Sequence, residues 1–359
     1  MHVMHTERIG LFGATGYAGV ELTALLAHHP HARLAFAASE SASSTGGGTI
    51  EEASGISGSA GRLGYVGYAE AMDLAAGCAA VLLATPAEVS LTLAPRLLSL
   101  GCRVIDLSGA FRLDGDTFAQ AYGLDSAAKE LLARSTWGLP ELARAAIVKA
   151  EIIANPGCYP TAAVLGLGPL LRAGLVSPDD IVVDALSGVS GAGRRSRDAS
   201  SAYSFMDVHA DVRPYKVLAH QHTPEISQGL TRFAGKPVSV TFTPHLIPIA
   251  RGILCTSYAR LHASATSADL TQALTAAYRG ERFVRVASGP DAVSLRHVVG
   301  TNECLVGVAC EPRAGGRVVA VSAIDNLIKG AAGQAMQNLN LALGWEEHAG
   351  LTHLRRWHS

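Results

Sequence analysis

The stretch Arg8-Ile9-Gly10-Leu11-Phe12-Gly13-Ala14-Thr15-Gly16-Tyr17-Ala18-Gly19 decides how the chain folds. Arg8 to Phe12 has the composition of a short buried strand, and the segment from Val20 to Ala27 has the pattern of an amphipathic helix. The turn between them is spaced GxxGxxG, a variant of the dinucleotide-binding GxGxxG. Glycines there let backbone N–H groups approach a pyrophosphate, while the helix N-terminus supplies partial positive charge. Glycines also simply make turns, but a position between strand and helix favours a dinucleotide site.

Working outward, Leu34 to Ala38 forms the next strand and ends in Ser39-Glu40-Ser41-Ala42-Ser43-Ser44. An acidic residue at this place suits the ribose of NAD, whereas hydroxyls or an Arg suit the extra phosphate of NADP, so the local signal is mixed. Thr45 to Gly67 is rich in Gly and Ser and reads as a mobile excursion. Ala79 to Ala84 is an apolar strand ending at Thr85-Pro86; a helix over about Ala87 to Leu100 leads to the strand Arg103 to Asp106. This β-α-β rhythm predicts a doubly wound parallel sheet, with Thr85-Pro86 and Asp106-Leu107-Ser108-Gly109 at its ligand-binding edge. Arg112 follows, as an anion-binding candidate or a surface salt bridge. Trp137 to Glu141 reads as a turn near the same edge.

Ile152-Ile153-Ala154 leads into Asn155-Pro156-Gly157-Cys158-Tyr159-Pro160-Thr161, and an apolar helical segment, Ala162 to Leu171, leads out. Pro156 and Gly157 force a sharp turn. Cys158 thus lies near a helix N-terminus, where the dipole favours a thiolate; the bland alternative is a buried core cysteine. A further strand, Ile181 to Leu186, ends in the glycine-rich Ser187-Gly188-Val189-Ser190-Gly191-Ala192-Gly193-Arg194, either an anion cradle or a flexible connection. His220-Gln221-His222-Thr223-Pro224-Glu225-Ile226 is the other dense polar cluster. If extended, it puts both imidazoles on one face, and a thiolate nucleophile needs such a proton acceptor.

Strands over Val238 to Leu246 and Gly252 to Arg260, with a hairpin of Val306 to Glu311 and Arg317 to Ala323 across Gly315-Gly316, predict a large mixed, mostly antiparallel sheet. Asp325 to Leu343 reads as one long helical segment rich in small residues, packed back against the first domain.

Composition excludes several classes. The 359 residues suffice for two domains. Lys plus Arg (29) balances Asp plus Glu (30), which leaves no basic footprint for nucleic acid. No apolar run reaches membrane-spanning length, and Met1 to Glu7 lacks the apolar core of a signal peptide. Six cysteines without CxxC pairs read as reduced thiols of a cytoplasmic protein. The sequence holds no HExxH, and His28-His29-Pro30-His31 reads as a helix-end cluster, with metal binding a minor alternative.

The stretches GATGYAGVEL (Gly13–Leu22), DLSGAFRL (Asp106–Leu113), WGLPEL (Trp137–Leu142), NPGCYPT (Asn155–Thr161), SGVSGAGR (Ser187–Arg194), HQHTPEI (His220–Ile226), RGIL (Arg251–Leu254) and DNLIKGAAGQAMQNLN (Asp325–Asn340) run in order across nearly the whole chain. Together they resemble the N-acetyl-γ-glutamyl-phosphate reductases, relatives of aspartate-semialdehyde dehydrogenase. The chain departs from that pattern at Ala84-Thr85-Pro86-Ala87-Glu88, where relatives often carry Leu-Pro-His-Gly, and at Trp137, where Tyr is usual.

The resemblance implies an α/β enzyme: a Rossmann-type domain over 1–156, completed by 325–359, and an α+β catalytic and dimerisation domain over 157–324. It implies Cys158 as nucleophile, His222 or His220 as acid–base partner, and Glu225 as orienting group. It implies NADP(H), contacted by Gly13, Thr15, Gly16, Tyr17, Ala18, Gly19, Ser39, Ser41, Thr85, Pro86, Ser108, Ser190, Gly191 and Asn326. Arg112, Asn155, Arg194 and Arg251 are the implied substrate contacts. Expected partners are a small-molecule substrate and further copies of the chain, as a dimer or tetramer, with neither nucleic acid nor membrane. Reductases of aspartyl or carrier-bound aminoadipyl phosphate are the nearest rivals. A cysteine hydrolase leaves the glycine turn unexplained, a cofactor-sensing regulator leaves the Cys and His clusters idle, and no Tyr-x-x-x-Lys supports a short-chain reductase.

Overall fold

The computed structural model describes residues 6–40, 48–193 and 205–352. Within them, 6–156 with 331–352 form one compact unit and 157–330 another.

In the first unit seven strands form one sheet: β1 (Glu7–Phe12), β2 (Ala32–Ala38), β3 (Tyr65–Val66), β4 (Ala80–Leu83), β5 (Arg103–Asp106), β6 (Ser135–Trp137) and β7 (Ile152–Ala154). Their order is β3-β2-β1-β4-β5-β7-β6, and every pairing is parallel. β4 and β7 are buried throughout, which is why they read as uninterrupted apolar runs rather than alternating ones. The strand order reverses between β1 and β4, and a doubly wound sheet opens its ligand crevice at the carboxyl ends flanking that point. Gly13 to Gly19 follows β1 and Thr85-Pro86 follows β4, so both lie at that crevice.

The segment Thr45 to Gly67, expected as a mobile excursion, holds regular structure in its described part. From residue 48 onward it holds helical turns at Ile50–Ser54 and Gly58–Gly61 and then the edge strand β3. The first turn has a complete capping box between Thr49 and Glu52, a local signal that outweighs the surrounding glycines and serines.

The second unit is built on another seven-stranded sheet. Its strands are β8 (Ile181–Ser187), β9 (Arg213–Pro214), β10 (Val240–Leu246), β11 (Ile253–Arg260), β12 (Val284–Val286), β13 (Cys304–Cys310) and β14 (Arg317–Ile324). They run in the order β12-β13-β14-β11-β8-β10-β9. Only β12–β13 and β8–β10 pair in parallel, so the sheet is mixed and mostly antiparallel. The helix Cys158–Arg172 packs on β11 and β14 and is apolar all round, as a fully enclosed helix must be. It begins at Cys158, four residues earlier than the apolar run suggested, because a proline such as Pro160 is tolerated in a first turn where its missing N–H costs nothing.

The long C-terminal helical segment is two elements, not one. A π-helical turn, Ile328–Ala332, precedes the α-helix Gly333–Ala342. That α-helix packs on the Pro140–Ile147 helix and β5 of the first unit, and its polar side chains are buried in specific bonds. Asn338 Nδ2 donates to Gly138 O at 2.8 Å and to Asn155 Oδ1 at 2.9 Å, while Asn340 Nδ2 donates to Glu347 O at 3.0 Å and Ala349 O at 2.9 Å. The helix-end histidine cluster joins the same network: His29 is buried, bonds through Nε2 to Asn340 Oδ1 at 2.9 Å, and through Nδ1 accepts the Ala32 N–H at 3.0 Å.

Candidate active site

At the carboxyl end of β1, Gly13 has φ +78°, and a Cβ there would lie 2.2 Å from Ala84 O. A Cβ on Gly19 would lie 2.2 Å from Gly13 O. Both glycines are therefore required, the first to pass close to β4 and the second to seat the helix Tyr17–Ala27 on the turn. Gly16 differs: its φ is −70°, and a Cβ would meet only Gly13 O at 3.4 Å. Gly16 caps the helix with no side-chain bond to its first turn, which leaves that turn's N–H groups directed as an anion cradle through Tyr17 and Ala18. Thr15 Oγ1 and Ser39 Oγ share a hydrogen bond of 2.9 Å, joining the turn after β1 to the end of β2. These residues fit a dinucleotide: the glycine turn admits only backbone at its closest points, and the helix end carries no competing acidic side chain in its first turn. Ser41 lies outside the described residues.

At the ends of β4 and β5, Thr85 Oγ1 and Ser90 Oγ share a bond of 2.8 Å, and Ser108 Oγ donates to Asp106 Oδ2 at 2.7 Å. Pro86 caps the following helix, Ala87–Ser99. Burial pushes the Asp106 carboxyl up, against the hydrogen bonds from Ser90 and Ser108 and the Arg112 charge. Arg112 is not the surface residue that one reading allowed. It is buried, with Nε donating to Asn155 O at 2.8 Å and Nη2 to Leu107 O at 2.6 Å. Asn155 is fully buried too; its Nδ2 donates to Ala331 O at 3.2 Å and its Oδ1 accepts from Asn338. Both residues thus brace the exit of β7 from below.

In the second unit Cys158 is the first residue of its helix, capped by Gly157 without a side-chain bond. Glu225, fully buried, accepts the Gly157 N–H through Oε1 at 2.9 Å and so ties the turn before Cys158 to the helix Thr223–Ala234. Cys158 is half-buried, whereas burial pushes the Cys255 thiol up to about 12 and the Cys102 thiol up to about 11. Those two behave as core hydrophobes; Cys158 sits where a helix dipole favours the thiolate.

The two histidines are not on an extended segment. His222 has φ −82° and ψ −12° and precedes the helix that Thr223 and Pro224 start, so Pro224 was the stronger local signal. Their rings still come together, with centroids 4.8 Å apart. His220 Nδ1 accepts the His222 N–H at 3.0 Å, which makes Nε2 the protonated nitrogen of a neutral ring. Burial lowers the His220 pKa to about 2, helped by the His222 and Lys216 charges and opposed by Glu225. Tyr159 stands edge-on to both imidazoles, at 5.5 Å from His220 and 5.8 Å from His222, and shares a 2.8 Å hydrogen bond with Tyr215. Burial raises the Tyr159 phenol well above its usual range. Neither tyrosine was singled out from the sequence; Tyr159 is signalled only by adjacency to Cys158, and Tyr215 by nothing local.

The glycine-rich turn after β8 gathers the remaining candidates. Asn326 Nδ2 donates to Ser190 Oγ at 2.9 Å and its Oδ1 accepts the Gly252 N–H at 2.7 Å. A Cβ on Gly191 would meet Ser187 Oγ at 3.3 Å and Asn326 Nδ2 at 3.6 Å. Beside them Arg251 pairs with the buried Asp325, Nε to Oδ2 at 3.2 Å, and remains about a quarter exposed (26%). Arg194 lies outside the described residues.

The architecture and these side chains define a two-unit α/β oxidoreductase with a helix-start cysteine. Family models for the semialdehyde dehydrogenase NAD-binding domain and dimerisation domain match residues 8–150 and 158–326. Solved aspartate-semialdehyde dehydrogenases share the fold: enzyme II of Vibrio cholerae, complexed with ASA, gives a TM-score of 0.74 at 19% identity over 95% of this chain and 99% of that one. The Candida albicans enzyme with NADP gives 0.66 at 16% identity over 94% and 98%.

Sequence relatives are closer. The N-acetyl-γ-glutamyl-phosphate reductase of Symbiobacterium thermophilum is 43% identical over 96% of this chain and 97% of its own, and that of Geobacillus stearothermophilus is 44% identical over 96% and 98%. The chain belongs to the N-acetyl-γ-glutamyl-phosphate reductase family.

Proposed function

We propose that the protein reduces N-acetyl-γ-glutamyl phosphate to N-acetylglutamate 5-semialdehyde with release of phosphate, a step of arginine biosynthesis, using NADPH. The observation that carries this is Cys158 at an uncapped helix start, next in sequence to Tyr159, whose ring stands edge-on to His220 and His222, in a chain of this family. The Cys158 thiolate attacks the acyl carbonyl; the C–O bond to phosphate breaks, and an acyl-Cys158 thioester remains. A thioester accepts hydride more readily than a carboxylate, which is what the cysteine contributes. NADPH, when bound, supplies the two electrons as hydride. The resulting thiohemiacetal oxygen takes a proton from His222 as it forms and returns it as the C–S bond breaks, which leaves a neutral aldehyde and the Cys158 thiolate.

His222 is the acid–base residue in this scheme and His220 its positioning residue. An imidazole held neutral down to about pH 2, with Nδ1 occupied by a backbone N–H, is unsuited to proton exchange near pH 7. Glu225 positions Gly157, and hence the backbone at Cys158. N–H groups of that first helical turn stabilise the oxyanion. Gly13, Thr15, Gly16, Tyr17, Ala18, Gly19 and Ser39 hold the dinucleotide, with Thr85, Pro86 and Ser108 at the neighbouring strand ends. Of Arg112 and Arg251, Arg251 is the one that keeps exposed surface for an anionic substrate group.

Self-association has physical support. On one face of the second sheet Val182, Leu186, Leu254, Tyr258, Val319 and Val321 are only half-buried, a largely apolar surface around Asp184 and Thr256 that is suited to another copy of the chain. Among the described residues no helix is long and apolar enough to cross a membrane, and a cytoplasmic setting fits six cysteines that are all free thiols.

The substrate assignment is tested in reverse, by phosphate-dependent reduction of NADP with N-acetylglutamate semialdehyde against aspartate semialdehyde. A preference for the former supports the assignment. A preference for aspartate semialdehyde overturns the substrate while leaving the chemistry, and no reduction with either by folded protein overturns both.

A further inference from the structure

The wall behind Cys158 is a glycine whose backbone does not need to be one. A Cβ built on Gly330 would lie 2.7 Å from Cys158 Cβ, 3.2 Å from Cys158 Cα and 3.3 Å from Ile324 Cδ1. Gly330 is absent from the residues with positive φ, so any side chain is compatible with its backbone conformation. What forbids one is the nucleophile.

The turn that carries Gly330 is fixed from the other side. It is wider than an α-helical turn, closed by the Gly330 N–H donating to Asp325 O at 2.9 Å. The Asp325 carboxylate is fully buried and accepts the N–H groups of Leu327 at 2.8 Å and Ile328 at 3.2 Å through Oδ1, and of Gly300 at 2.8 Å through Oδ2. The Arg251 guanidinium neutralises it. Three backbone donors and one cation on a single buried carboxylate leave the turn no freedom to retreat, and wide turns of this kind recur at functional sites.

We infer that Gly330, held by the Asp325-anchored turn, is a positioning residue that sets the place of the Cys158 side chain against the acyl carbon. The inference rests on Cys158 being the nucleophile. Contacts under 3 Å cannot persist, so Gly330→Ala must push Cys158 outward, and misplacement of a reacting atom by about 1 Å can cost 10²-fold in rate. Expected for Gly330→Ala is a kcat lowered about 10²-fold, an unchanged KM for NADPH, and a changed rate and pH profile of Cys158 alkylation by iodoacetamide. A merely structural glycine would lower activity only in proportion to the unfolded fraction, with the alkylation profile of the folded fraction unaltered.

The direct test is a thermal-stability cycle of Gly330→Ala and Cys158→Gly, because the second change removes the Cβ that the first one meets. The Tm loss from Gly330→Ala is expected to shrink in the Cys158→Gly background, and rescue of an otherwise unfolded Gly330→Ala protein would show the same coupling. Equal Tm losses in both backgrounds, failure to fold in both, or full kcat in Gly330→Ala would each overturn the proposal. Cys158→Ala is assayed alongside: if it keeps full activity the nucleophile assignment fails, whatever the cycle shows.

Discussion

His220 gives the most quantitative prediction. Its folded pKa lies at about 2, mainly through burial, against 6.5 for an unperturbed imidazole. Between those values the unfolded chain binds a proton that the folded chain refuses. Stability is therefore present in full above pH 6.5 and is lost progressively as pH falls from the unfolded value toward the folded one. From pH 7 to pH 5 the loss comes to about 2 kcal/mol, a figure set by the unfolded pKa as long as the folded one stays well below 5. His220→Asn removes this titration while keeping an oxygen able to accept the His222 N–H, since Asn readily bonds the backbone two residues on. The assay is urea unfolding of both proteins at pH 7 and pH 5. With a slope of about 3 kcal/mol/M, the wild-type midpoint should fall by roughly 0.6 M more than that of the variant. Comparing pH differences cancels any constant cost of the substitution, and it also cancels His29, whose pKa burial lowers in both proteins. Equal pH dependence of the two midpoints would refute the claim that His220 is held neutral.

Three further outcomes follow from the geometry. Gly13→Ala and Gly19→Ala should each lower stability by about 1–3 kcal/mol and weaken NADPH binding, because their Cβ atoms would meet backbone 2.2 Å away, whereas Gly16→Ala should leave Tm nearly unchanged; calorimetry and fluorescence titration check both. Asp325→Ala strands three backbone N–H groups and the Arg251 charge and should cost about 3–5 kcal/mol in denaturant unfolding, with Asp325→Asn in between. Glu225→Ala leaves the buried Gly157 N–H without its acceptor and should cost about 1–3 kcal/mol and lower kcat, with Glu225→Gln restoring most of the stability; parallel melts and steady-state kinetics check this.

The parallel sheet was legible because β4 and β7 are buried throughout and read as apolar runs of strand length. Gly13 and Gly19 were legible for a related reason, since only close backbone approach explains glycine at those places. The Thr45 to Gly67 segment was misread because composition averages over a window, while the capping box at Thr49 and Glu52 is a two-residue signal. His220 and His222 share one face by a period-two pattern only if their segment is extended, and the helix that Thr223 and Pro224 start replaces that condition. The bond from Gly300 to Asp325 and the approach of Gly330 to Cys158 had no local signature, because only the fold brings these residues near one another. The bonds of the Gly333–Ala342 helix were hidden likewise: no local pattern names Gly138, Asn155, Glu347 and Ala349 as the partners of Asn338 and Asn340.

The central claim is covalent catalysis through Cys158, and intact-protein and peptide mass spectrometry after mixing with N-acetyl-γ-glutamyl phosphate in the absence of NADPH tests it most directly. The account predicts one acyl group on the peptide containing Cys158, one phosphate released per subunit, and discharge of the label as semialdehyde when NADPH is added. A Cys158→Ala protein that still forms semialdehyde at the wild-type rate, or an acyl group found on another residue and discharged by NADPH, would contradict it.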